Sequence, residues 1–134
     1  MDDPRPFCLG GRWKSSPETS PVINPYTGRT FATVCLGSHR DLLAAAASAA
    51  GSFQETRTLP LSTRMKILHT IAALIEERRE ELVFTLIHEG GKVRKVADGE
   101  VSRAIETIMI SAEEAGQITG EILSRSNQAG SPRL

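Results

Sequence analysis

The sequence predicts an α+β fold, a small antiparallel strand meander over residues 1–37 followed by three or four helices over residues 38–120, with a frayed tail at 121–134. The first observation behind it is a change of period near Ser38: apolar residues alternate before that point and recur at spacings of three and four after it. The second is punctuation, because the turn formers Gly10-Gly11 and Asn24-Pro25-Tyr26-Thr27-Gly28 fall between short β-prone runs. The third is composition. With 40% hydrophobic and 24% charged residues, the chain matches folded domains and not disordered segments.

Phe7-Cys8-Leu9, Gly10-Gly11 and Arg12-Trp13-Lys14 read as a short hairpin with a glycine turn. Val22-Ile23 then enters a second reversal. Asn24 can bond its own backbone, Pro25 presets φ, and Gly28 accepts a positive φ. Arg29-Thr30-Phe31-Ala32-Thr33-Val34-Cys35 forms its return strand.

Ser38 begins the helical region as an N-cap, with Asp41 at the third helical position completing the cap and suiting the positive end of the helix dipole. The alanine-rich helix that follows runs to about Gln54, with Leu42, Leu43, Ala46, Ala50 and Phe53 as its apolar stripe. Pro60-Leu61-Ser62 restarts the pattern with Leu68, Ile71 and Ile75, and the stripe resumes at Leu82 and Leu86. Between them Glu76-Glu77-Arg78-Arg79-Glu80-Glu81 predicts a solvated break with Glu76–Arg79 and Arg78–Glu81 pairs. Gly90-Gly91 stops that helix. The last helix is expected from about Lys92 through Val93, Val96, Ala97, Val101, Ala104, Ile105, Ile108, Met109 and Ala112. So broad an apolar face implies a central position or a missing partner. Past Gly120-Glu121-Ile122-Leu123 the apolar periodicity ends, hence the frayed tail.

Sixteen basic residues balance sixteen acidic ones, so no global field attracts nucleic acid or an anionic membrane. The longest apolar run, 42–50, is too short to span a bilayer, and the opening Met-Asp-Asp-Pro-Arg-Pro lacks the pattern of a secretory leader, which together predict a cytoplasmic chain. Cys8 and Cys35 then fit free thiols, with a single Cys8–Cys35 bridge as the alternative.

The search for chemistry yields no catalytic, cofactor-binding or metal residues. Gly90-Gly91-Lys92 suggests a phosphate loop, but that motif requires glycine where Leu86 stands and a hydroxyl where Val93 stands. A G-x-G-x-x-G fingerprint for a dinucleotide is also missing. His39, His69 and His88 are isolated from one another, and His69 reads as a polar boundary or satisfied core residue. Nothing near Cys8 or Cys35 would lower a thiol pKa, so neither is expected to be a nucleophile. Glu100 sits at the edge of the last helix's apolar face, where a rim or buried ion pair is favoured over a catalytic acid.

Several local patterns occur in a meaningful order: Gly10-Gly11-Arg12-Trp13, Val22 through Gly28, Ser62-Thr63-Arg64-Met65-Lys66-Ile67-Leu68, Glu89-Gly90-Gly91-Lys92 and Glu100-Val101. In that order and spacing the chain resembles the opening segment of an NAD(P)-dependent aldehyde dehydrogenase subunit. The resemblance implies one incomplete domain, part of a larger α/β subunit, whose helices pack against a dinucleotide-binding domain. It also implies that the family's nucleophilic cysteine, general-base glutamate, oxyanion-stabilising asparagine and cofactor residues lie later in the chain. The complete enzyme would oxidise an aldehyde to an acid through a cysteine thiohemiacetal and hydride transfer to NAD or NADP.

For this chain the expectation is a scaffold segment that binds no cofactor alone and is inactive alone, arising as a gene fragment, an interrupted reading frame, a recombinant truncation or one half of a split subunit. Its partner would be the remainder of such a subunit. The alternative is a helical interaction module that binds a partner protein through the broad apolar face from Val93 to Ala112, with self-association through exposed apolar helices as a further reading. A standalone small-ligand binder comes last, for want of convergent polar groups.

Overall fold

The computed structural model describes residues 3–117, and the tail expected at 121–134 lies outside them. β1 (Phe7–Leu9) pairs antiparallel with β2 (Arg12–Lys14), placing Cys8 opposite Trp13. The turn between them needs positive φ at Gly10 and Gly11, 58° and 76°, which glycine adopts without steric cost. β3 (Thr19–Ile23) pairs antiparallel with β4 (Thr30–Cys35), with an irregularity between Val22 and Ile23. Here Asn24 performs the local bonding its position predicts: its Oδ1 accepts from the N–H groups of Tyr26 at 2.9 Å and Thr27 at 3.1 Å.

Among the described residues the strand region is two separate pairs, β1–β2 and β3–β4, rather than one continuous sheet. β2 and β3, neighbours in the expected meander, do not pair, and the far edge of β4 is occupied by Arg5. Its N–H donates to the Thr33 carbonyl at 2.8 Å, and its carbonyl accepts from Cys35 at 2.9 Å. The Ser16 hydroxyl bonds the Glu18 and Leu36 carbonyls, turning the connection between the pairs.

α1 (His39–Thr56) starts at a full capping box. The Ser38 hydroxyl accepts from the Asp41 N–H at 3.3 Å, and Asp41 Oδ2 accepts from the Ser38 N–H at 2.9 Å. α2 (Leu61–Glu77) and α3 (Arg79–Gly90) are separated by Arg78 alone, at φ −100° and ψ 18°, so the break falls inside the charged run that predicted it. Both expected ion pairs form there, Arg79–Glu76 at 2.7 Å and Arg78–Glu81 at 2.8 Å.

α4 (Arg94–Gly116) begins two residues later than the apolar pattern suggests. Gly91 takes a left-handed conformation to end α3, and Val93 is extended as the N-cap, so Lys92 is left outside the helix.

The core is small and sits where α4 crosses α2 and α3. Val83 and Ala97 are wholly buried and Val101 nearly so, with Ile75, Leu82, Leu86, Ile87 and Ile105 packed against them. Ala72 and Ala112 are also buried, and a Cβ added at Gly116 would lie 3.1 Å from Met65 Sδ, so α2 and α4 approach closely over small residues. The broad stripe expected on α4 is narrower in the structure, because Val96 and Met109 stay exposed. α1 departs further: its stripe of Leu42, Leu43 and Phe53 remains 65%, 58% and 59% exposed. The side it buries instead carries Asp41, with Ala45 and Ser48 half-buried beneath the Gly10 turn.

Candidate functional site

The residues singled out for chemistry are placed apart. Cys8 is exposed on β1, Cys35 is buried at the end of β4, and both thiols are free. His39 is exposed in the first turn of α1 and His69 is exposed on α2. His88 lies on α3, where its ring stacks on Phe31 of β4 with centroids 5.1 Å apart and lies 3.9 Å from the Phe84 ring. Its Nδ1 is 2.8 Å from the Phe84 carbonyl one turn back in α3, and the stack on Phe31 is what ties this ring to β4. Among the described residues no three His, Cys, Asp or Glu side chains are close enough to hold a metal ion.

Glu100 is half-buried on α4 and ion-paired with Lys92, with Arg103 at 3.7 Å. The Lys92 hydrogen bond holds its carboxyl below the usual carboxylate range, against desolvation, with the charges of Lys92 and Arg103 adding to the effect. It therefore stays ionised near neutral pH, the opposite of what a general acid requires. Ile75, Leu82, Thr85, Leu86, Val101 and Ala104 line an apolar cleft of about 410 Å³ beside it. Its lining holds few groups that could orient a ligand.

The Gly90-Gly91-Lys92 stretch is occupied by the protein itself. A Cβ at Gly91 would lie 2.7 Å from Pro25 Cγ and 3.6 Å from the Tyr26 ring, and Lys92 is turned onto Glu100. The Asn24–Gly28 turn thus rests on the junction of α3 and α4. Two motifs far apart in sequence form one joint, and the glycine is required because the proline ring fills the space a side chain would take. Sequence reasoning picked out both motifs without revealing that they touch.

A second joint ties the helices together. Arg79 Nη1 donates to Asp98 Oδ1 and to the Ser102 hydroxyl, both at 3.0 Å, while the same guanidinium holds Glu76. Arg79 consequently links the end of α2 to α4. The site this geometry describes is a set of packing joints.

The pattern of the Aldehyde dehydrogenase family matches residues 13–132. The chain belongs to the aldehyde dehydrogenase family. It is 33% identical over 118 residues to malonate-semialdehyde dehydrogenase 1 of Geobacillus kaustophilus, covering 87% of this chain and 24% of that one. It is 36% identical over 113 residues to the 3-sulfolactaldehyde dehydrogenase of Priestia megaterium, covering 84% and 23%. Among solved structures, an NAD-dependent benzaldehyde dehydrogenase from Corynebacterium glutamicum superposes with a TM-score of 0.85 at 34% identity, over 97% of this chain and 29% of that one. An NADP-dependent glyceraldehyde-3-phosphate dehydrogenase from Bacillus halodurans superposes with a TM-score of 0.90 at 27% identity, over 98% and 28%. The chain corresponds to the N-terminal part of these aldehyde dehydrogenases and spans about a quarter of the length of the curated relatives it matches.

Proposed function

We propose that this chain acts as a scaffold segment of an NAD(P)-dependent aldehyde dehydrogenase, an oxidoreductase that converts an aldehyde to an acid, and that it contributes packing and no reacting group. The observation that carries this reading is that the family match takes in nearly the whole chain and about a quarter of its relatives. The joints support it: Gly91 is filled by Pro25 and Lys92 is held by Glu100, so the one glycine-lysine stretch does not fit a nucleotide phosphate. NAD or NADP would be bound by other parts of the complete subunit. The exposed ridges Leu42–Phe53 on α1 and Ile67–Leu74 on α2 would pack against that remainder. No helix among the described residues is long and apolar enough to cross a membrane, and a cytoplasmic location is part of the proposal.

The test is an absorbance assay of the purified chain with an aldehyde and NAD or NADP. The expected result is no reduced cofactor above the blank. Turnover that Cys8→Ser abolishes would overturn the reading, because it would place the nucleophile within this segment.

The second reading is an interaction module that binds a partner protein through the α1 ridge, favoured by the exposure of Leu42, Leu43 and Phe53. A saturable, stoichiometric complex recovered by affinity capture and lost in Leu43→Asp supports it. Recovery of chaperones alone counts against it.

A further inference from the structure

We draw no further inference here: the strongest candidate, the exposed apolar patch of Leu42, Leu43 and Phe53 on α1, has no occupant that anything in the structure identifies beyond the subunit packing already proposed.

Discussion

α1 and α4 are both long helices, of 18 and 23 residues, and they form for different reasons. α1 has the better local sequence. Its capping box satisfies orphan N–H groups, and its run of alanines loses little side-chain entropy. α4 has no side-chain cap and carries Gly99 in its interior, yet it buries Ala97, Val101 and Ala112 against its neighbours. α1 buries Asp41, while its large apolar side chains face outward. One helix is therefore specified by its own residues and the other by its neighbours, and an apolar stripe alone does not distinguish them. It says that a face wants covering; only the packed chain says whether this segment supplies the cover.

The largest contrast follows directly. Val101→Asp places an unpaired carboxylate in the core beside Val83 and Ala97, a change costing several kcal/mol, roughly the whole stability of a small domain. Leu42→Asp puts the same charge on the exposed ridge of α1 and should change stability by no more than about 0.5 kcal/mol. Urea unfolding followed by circular dichroism should lose its cooperative transition in the first variant and keep it in the second. A similar loss in both would mean that the α1 ridge is already covered in solution.

Two glycines sharpen the same contrast with opposite signs. Gly91→Ala must adopt a φ of 63° and meet the Pro25 ring, so it should lose about 1–2 kcal/mol from the backbone alone, with the clash in addition. Gly99→Ala meets nothing within 4 Å and should gain about 0.5–1 kcal/mol of helix propensity. The midpoints of thermal unfolding should move in opposite directions. A stabilised Gly91→Ala variant would remove the joint between the Asn24 turn and α3.

Element type was legible where chemistry is local. Asn24 bonding its own turn, Ser38 with Asp41, the break at Arg78 and the stop at Gly91 each depend on residues within a few positions. Burial was not legible, because it depends on a partner's surface: Leu42 and Phe53 lie on an expected apolar stripe as Val101 does and differ in what lies over them, while the wholly buried Val83 falls off the expected Leu82–Leu86 stripe. The start of α4 was misplaced at Lys92 for a related reason. Apolar spacing continues through Val93, whereas the left-handed Gly91 and extended Val93 delay the helix to Arg94. Family membership was legible from the order of the motifs. That the Asn24–Gly28 turn seats on Gly91, or that Lys92 reaches Glu100, follows no helical or strand period and needed the folded chain.

The capping of α1 gives a smaller effect. Ser38→Ala should cost about 1 kcal/mol and concentrate its damage in the first turn of α1, seen as faster amide exchange there than in α4. Asp41 adds a pH dependence. Hydrogen bonds from Lys14, then from the Ser38 hydroxyl and backbone N–H, hold its carboxyl far below its ordinary value of 3.8. A depressed carboxylate pKa contributes stability that is present above the ordinary value and lost as the pH falls below it toward the native one. Urea midpoints of wild type should therefore drop as the solution is acidified below the ordinary carboxylate value. Asp41→Asn should start lower and fall less, since Glu76, Glu81 and Glu100, also held low by basic partners, still titrate in it. Parallel curves for the two proteins would show that the Lys14–Asp41 contact does not persist in solution.

The smallest expected effect separates two neighbouring arginines. Arg78 pairs with Glu81 one turn away, both side chains well exposed, so Arg78→Ala should leave the urea midpoint within error at ordinary ionic strength. Arg79 is 24% exposed and bridges Glu76 on α2 to Asp98 and Ser102 on α4, so its removal leaves groups on two helices without their partner. Arg79→Ala should lower the midpoint measurably, and added salt should narrow the gap between the two variants without closing it, because Ser102 and the packed stem of Arg79 are not screened. Equal effects of the two substitutions would reduce the Arg79 joint to one more surface pair. The α2–α4 contact would then rest on packing, with Ile75 against the core at Val101, Ala72 and Ala112 buried, and the close approach at Gly116.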